Sequence, residues 1–178
     1  MKKVVWANKS NKQLCVTVPK NSGIKEGDIV SIQKEKISKI VYSSVRADLF
    51  HYGHLRILEA ANELGDIHIC GVLTDDAIKT YKKEPVIGFK ERKAIISSLR
   101  CVDMVMNQSS LDPTENLKTI HKQFPNAKII AIYGSNWKKI PGEEYIKEIG
   151  GQIVQPEFYE KLSTKNIVKK LFKIYKEE

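Results

Sequence analysis

The 178-residue sequence predicts an α/β fold, a doubly wound parallel five-stranded sheet preceded by a small N-terminal β module. Three observations predict it. From Ser38 onward, short apolar runs alternate with segments of helical periodicity, the sign of a parallel sheet with crossover helices. The 42% hydrophobic content can bury one substantial core and leaves room for only a small additional unit. Residues 1 to 38 follow a different pattern, with short strand-like runs broken by turn residues.

The first unit, 1–38, reads as strands over 13–18 and 28–32, separated by Pro19-Lys20-Asn21-Ser22-Gly23 and a Lys25-Glu26-Gly27 turn. A hairpin of this size is marginal alone, so it is expected to pair with another copy or to pack on the main domain. In the second unit, 39–178, the strands fall at 40–43, 68–73, 104–106, 129–133 and 152–154. Helices fall near 53–64, 89–100, 113–123, 142–149 and 164–176, with a short one after the second strand. Right-handed crossovers bring the carboxyl ends of these strands to one edge, where ligands bind.

No apolar run approaches the ~20 residues that cross a bilayer, and Val4-Val5-Trp6-Ala7-Asn8 is too short for a leader, so a cytoplasmic protein without a membrane partner is expected. Cys15, Cys70 and Cys101 are widely spaced with no CxxC pair and read as buried free thiols. The net charge of +9 suits a protein that handles phosphates or nucleic acid. In residues 1 to 38, eight lysines against Glu26, Asp28 and Glu35 leave +5, and the other 140 residues carry +4. That segment has no arginine and so lacks the fork that reads guanine; sequence-specific nucleic-acid binding is not expected.

The chemistry centres on Ala47-Asp48-Leu49-Phe50-His51-Tyr52-Gly53-His54, between the first strand of the sheet and its helix. Two imidazoles three residues apart can donate N–H bonds to a triphosphate, and the helix start attracts phosphate. Gly53 removes a side chain that would keep phosphate away from the backbone. The stretch resembles the signature of the nucleotidyltransferase superfamily that includes the cytidylyltransferases, GTFDLFHYGH. Asp48 to His54 match it residue for residue, while Val45, Arg46 and Ala47 stand in place of Gly, Thr and Phe.

Four further segments resemble motifs of the same family, in the same order. Thr74-Asp75-Asp76 at a strand end leads to Tyr81-Lys82-Lys83, where the resemblance implies that Lys82 contacts the phosphates; Asp75, at the mouth of the sheet, is the candidate to help hold magnesium or orient the acceptor. Glu91-Arg92 opens the next helix, and Arg100-Cys101-Val102-Asp103 is similar to RYVDE, a motif near the nucleotide and the dimer interface. Gly134-Ser135-Asn136-Trp137 stands where the family has GDDW, with both acids replaced. Leu162-Ser163-Thr164 resembles part of RTEGISTT, with Phe158 in the place of the arginine; Arg46 is the candidate to supply that charge.

The resemblance implies a Rossmann-like nucleotidyltransferase that moves CMP from CTP to an acceptor, with Mg2+ and as a homodimer. His51, His54 and Lys82 would be catalytic. Asp48, Gly53, Arg100, Gly134, Trp137, Ser163 and Thr164 would bind the nucleotide, and Arg46, Asp75 and Lys83 the acceptor. Ala47-Asp48, Leu73 to Ile78 with Tyr81-Lys82, and Gln108…Leu111-Asp112…Asn116-Leu117 are similar to cytidylyltransferases acting on phosphonates, which makes a phosphonate or phosphoalcohol the expected acceptor. HxGH itself does not choose the base, so adenylyl transfer of the FAD synthetase or pantetheine-phosphate type is the alternative. Val16 to Lys20 and Ile24 to Val30 resemble the swapped hairpin of AbrB-like regulators, which opens a further alternative, a DNA-binding regulator with a nucleotide-sensing domain.

Overall fold

In a computed structural model of the chain, the residues described are 6–7, 14–15, 22–26, 28–29, 37–82, 84–135, 137–157, 159 and 161–175. The chain divides into two compact units, Met1–Glu35 and Lys36–Glu178.

In the first unit, strand β1 (Trp6–Ala7) pairs antiparallel with β2 (Leu14–Cys15). The strand read over 13–18 is met at those two residues, whereas Trp6 and Ala7 were read only as a short apolar stretch. Asp28 and Ile29, read as the start of a second strand, are outside any strand: the Asp28 N–H donates to the Lys25 carbonyl at 3.2 Å, and its carboxylate accepts from the Lys25 N–H at 2.8 Å. Of the AbrB-like segment, Val16 to Lys20, Gly27 and Val30 lie outside the described residues.

In the second unit the elements run β3 (Lys39–Val45), α1 (Tyr52–Glu63), β4 (Ile67–Leu73), α2 (Asp75–Lys79), α3 (Phe89–Ser97), β5 (Met104–Gln108), α4 (Thr114–Gln123), β6 (Lys128–Ile132), α5 (Glu143–Glu148), β7 (Gln152–Val154) and α6 (Thr164–Tyr175). The five strands form one parallel sheet, as the alternating pattern predicts, and the structure sets their order as β5-β4-β3-β6-β7. Ile40, Val41 and Tyr42 of the central strand are all buried, because helices cover both faces. Ile40, Tyr42, Ile129 and Ala131 pack with Leu117 and Ile120 of α4 and Ile146 of α5 on one face. Val41, Ile130 and Ile132 meet Ala61 of α1, while Cys70 and Val72 meet Leu58 of α1 and Ile96 of α3, on the other. At roughly 25 cal/mol per Å² of apolar surface removed from water, these three layers are the main stabilisation of the unit.

One polar knot crosses the first of these faces. The Tyr42 hydroxyl donates to Gln108 Oε1 at 2.8 Å and accepts from Asn116 Nδ2 at 2.9 Å. Gln108 Nε2 goes on to the carbonyls of Ser110 and Leu111. A Cβ at Gly71 would fall on the Tyr42 hydroxyl, so glycine there makes the knot possible. Gln108 and Asn116, part of the phosphonate-type pattern, therefore serve the core.

Among the described residues no helix is long and apolar enough to cross a membrane. Cys70 is a buried free thiol as expected, and Cys101 is half-buried.

Candidate active site

The sheet reverses direction of growth at its centre. From β3 the chain adds β4 and β5 outward, then returns to add β6 and β7 on the other side. The carboxyl ends of strands at such a reversal leave a crevice. A cavity of about 330 Å³ opens there. The end of β3 contributes Ser44, Val45 and Arg46, and the start of α1 contributes His51, Gly53 and His54. Leu73, Tyr81, Lys82 and Leu111 line it from the β4 and β5 side. Tyr133, Trp137, Pro141, Tyr159, Leu162, Ser163 and Thr164 line it from the segments that follow β6 and β7.

His51 is the N-cap of α1. Its Nδ1 accepts from the Gly53 N–H at 3.1 Å, and its own N–H donates to His54 Nδ1 at 3.3 Å. The rings lie 4.0 Å apart, and the His54 ring also stacks on Phe50 at 5.6 Å. Burial, the neighbouring His51 and the charge of Arg46 push His54 down to about 4, against an opposing pull from Asp48. Burial also lowers His51. Both rings are thus neutral at physiological pH. A neutral imidazole whose Nδ1 accepts a bond carries its proton on Nε2. The pair therefore offers two Nε2–H donors fixed by the helix cap.

The helix start itself offers less than its sequence suggests. The Gly53 N–H is taken by His51 Nδ1, and those of His54 and Leu55 by the His51 carbonyl at 2.9 and 3.2 Å. Gly53 has a further reason to be glycine, since a Cβ there would stand 2.9 Å from His51 Cε1 and 3.4 Å from the Leu162 carbonyl. It admits the folded-back imidazole and the close passage of the segment before α6. Ser163 caps that helix, its Oγ accepting from the Asn166 N–H at 3.2 Å, and Tyr159 is held against α1 by the edge of Tyr52 and the guanidinium of Arg56.

Eight of the residues picked out by sequence line the cavity: Arg46, His51, Gly53, His54, Lys82, Trp137, Ser163 and Thr164. Lys83 lies outside the described residues. Four others are placed elsewhere. Asp48 is buried and its Oδ1 accepts the Val86 and Ile87 N–H bonds, both 3.1 Å, so it fixes the 84–88 loop. Asp75, expected near magnesium or the acceptor, has both oxygens engaged: Oδ1 with Arg92 at 2.6 Å and Oδ2 with the Phe89 N–H at 3.2 Å. The hydrogen bond from Arg92 holds its carboxyl below the usual range. The Gly134 carbonyl accepts from the Trp137 N–H and from Gln155 Nε2, closing the turn that presents the indole.

Arg100 corrects the expectation that every motif reaches the ligand edge. Residues 100–103 lead from α3 into β5, and Asp103 exchanges bonds with the main chain of His68 at the start of β4. That is the amino edge, separated from the cavity by the seven residues of β4, about 20 Å of strand.

Sequence reading placed Arg92 only as part of a motif. Its side chain is fully buried, donating from Nε to the Ile87 carbonyl at 2.9 Å and from Nη1 to the carbonyls of Arg46 and Leu73. It ties the ends of β3 and β4 to the 84–88 loop and so positions Arg46. The signal that could have found it is an arginine on the inward face of a helix, since a fully buried arginine must have partners.

Comparisons with known proteins give the family. Residues 46–175 match the family described as cytidylyltransferase-like. The bifunctional protein HldE of Geobacter sulfurreducens is 29% identical over 84% of this chain and 30% of its own, and that of Helicobacter hepaticus is 34% identical over 76% and 27%. The chain thus spans less than a third of the length of these relatives. The fold is also that of a lipopolysaccharide core biosynthesis protein from Thermoplasma volcanium, with a TM-score of 0.57 and 23% identity over 70% of this chain and all of that one. With its family match covering residues 46–175 and the two neutral imidazoles at the reversal of its sheet, the chain belongs to the cytidylyltransferase-like nucleotidyltransferases.

Proposed function

We propose that the protein transfers a nucleoside monophosphate from a nucleoside triphosphate, ATP in the first reading, to an acceptor bearing a phosphate or phosphonate group. The observation that carries the transfer is the cavity itself: two imidazole Nε2–H donors, the hydroxyls of Ser163 and Thr164, and the cations Arg46 and Lys82 line it, and among the described residues no carboxylate does. An acceptor oxygen attacks the α-phosphorus in line, the bond from that phosphorus to the bridging oxygen breaks, and pyrophosphate leaves. Such a transfer needs positioning and charge neutralisation more than covalent chemistry. His51 and His54 donate to the developing negative charge, and Lys82 reaches the α-phosphate as the acceptor approaches.

Two observations support ATP as donor. The curated relatives reported above are HldE proteins rather than phosphonate or choline-phosphate enzymes. Ser135, Asn136 and Phe158 also replace residues that the cytidine-using pattern keeps. CTP with a phosphonate acceptor is the second reading, favoured by the match of Asp48 to His54 and by the family that residues 46–175 match. The chain's own residues do not suit a protein-held magnesium ion. Among the described residues the lining lacks carboxylates, Asp75 is engaged by Arg92, and no three His, Cys, Asp or Glu cluster. Magnesium would arrive as the salt of the triphosphate, on phosphate oxygens and water.

A pyrophosphate-release screen tests both readings, with ATP and CTP run separately against phosphonates, phosphoalcohols, flavin mononucleotide and phosphopantetheine. ATP-dependent release is the expected result. Release with CTP and a phosphonate alone establishes the second reading, and no release with either donor refutes the transfer.

A further inference from the structure

Gln155 follows the last residue of β7, at the carboxyl edge of the sheet. Its Nε2 donates to the Gly134 carbonyl and to the Trp137 carbonyl, both at 3.1 Å. The Gly134 carbonyl also accepts the Trp137 N–H at 3.2 Å, so one primary amide spans both ends of the turn that follows β6. Both partners are acceptors, which fixes the amide with its NH2 toward the turn and uses both of its hydrogens. Among the described residues no other side chain bonds to Gly134 or Trp137. The loop is otherwise pinned at its far end, where the Tyr133 hydroxyl donates to the Pro141 carbonyl at 2.6 Å and the Gly142 N–H to Asp112 Oδ2 at 3.0 Å. Neither bond reaches Trp137, so neither duplicates Gln155.

The indole of Trp137 lines the cavity, belongs to none of the packed layers of the core, and has no aromatic ring against it among the described residues. With no core or ring to seat it, the indole takes its direction from the main chain of the turn. A partly exposed indole on a cavity wall presents a flat apolar face, and a planar base is what such a face takes up, whichever base it is, because every base has a π-face. Gln155 does not itself line the cavity, so its influence on a ligand passes through Trp137. We infer that Gln155 is a positioning residue: by bridging Gly134 and Trp137 it holds the indole at the cavity wall, where the indole stacks on the base of the bound nucleotide. The stacking on a nucleotide rests on the transfer reading above, while the hold on the indole does not.

The test uses the full chain carrying Trp6→Phe, which leaves Trp137 as its one indole, since the sequence has two tryptophans. Gln155→Ala removes both bonds, and Gln155→Met keeps the length of the side chain without a hydrogen to donate. In both variants the fluorescence anisotropy of Trp137 is expected to fall in the absence of ligand, with an unchanged circular dichroism spectrum. Calorimetric titration then compares ATP, CTP and pyrophosphate. ATP and CTP should weaken by about three- to tenfold, the scale of one ordinary hydrogen bond. Pyrophosphate, which has no base, should change by less than about twofold. In a Trp137→Ala background the Gln155 substitutions should no longer alter ATP or CTP binding, which separates an effect through the indole from any other route. Unchanged Trp137 anisotropy in both variants, pyrophosphate weakened as much as ATP, or a full effect that survives Trp137→Ala overturns the assignment. Anisotropy that falls in a chain whose native form binds neither nucleotide at millimolar concentration leaves the hold on the indole standing and removes both the base contact and the transfer.

Discussion

If His54 acts as a neutral donor, acid should destabilise the protein in a window set by that one ring. His54 stands at about 4 when folded, chiefly through burial, against an ordinary 6.5 for an exposed imidazole. As pH falls the unfolded chain therefore takes up the proton first, and stability falls. The contribution is intact above about pH 6.5, declines as pH drops from there to about 4, and declines no further below that. Evaluated at pH 5, the difference in proton uptake costs about 2 kcal/mol relative to neutral pH, enough to move a urea midpoint by about 1 M for a domain of this size. His51 and His68 are also lowered by burial and add in the same sense, so the native chain alone does not isolate the effect. The comparison needs His54→Asn, whose side-chain oxygen can still accept the His51 N–H that Nδ1 accepts now. Urea unfolding of both proteins between pH 7.5 and 5 should give a shallower pH dependence in the variant, by about 2 kcal/mol at pH 5. Equal dependence in the two proteins, or an NMR titration placing His54 at 6.5 or above, would refute the neutral-donor reasoning.

Other outcomes follow from the same structure. His54→Ala should lower pyrophosphate release by about 10²-fold or more while leaving the circular dichroism spectrum unchanged. Arg92→Met should destabilise by roughly 1–3 kcal/mol, the scale of a buried acceptor left without a donor, because it takes the donor from the carbonyls of Ile87, Arg46 and Leu73; a urea midpoint within error of native would count against the tie it makes. Light scattering at micromolar concentration should report a homodimer, with the exposed Leu171, Phe172 and Tyr175 of α6 as the surface to alter if it does. Anisotropy titration at ~150 mM salt should find no sub-micromolar, sequence-dependent DNA complex, since residues 1 to 38 carry lysines but no arginine.

The sheet was legible because burial and local sequence say the same thing in it. Ile40-Val41-Tyr42 is apolar at consecutive positions, which only a strand covered on both faces tolerates, and the run recurs at Ile129-Ile130-Ala131. Each such run is followed by a helical period, which makes the pairing parallel, while the reversal that puts β3 at the centre of the sheet is not written in the pattern. Trp6–Ala7 was missed for the opposite reason. A strand of two residues has no period, and its partner Leu14–Cys15 is too short to announce it.

The site was legible in part, and the division is physical. His51 and His54 stood out because two imidazoles three residues apart at a helix start can cap it and lie side by side. Arg100 could have been excluded by direction alone: loops from strand to helix lie at the carboxyl edge, loops from helix to strand at the other, and 100–103 is of the second kind. Asp48, Asp75 and Arg92 are harder. Each is a charge in the right loop, and nothing in the sequence tells whether its partner is a ligand or the protein's own main chain. The 84–88 loop decides it. That loop has N–H groups at Val86 and Ile87 and a carbonyl at Ile87 that need partners, and Asp48 and Arg92 supply them from opposite sides. Once those charges are engaged in holding the loop, the cations that line the cavity among the described residues are Arg46 and Lys82.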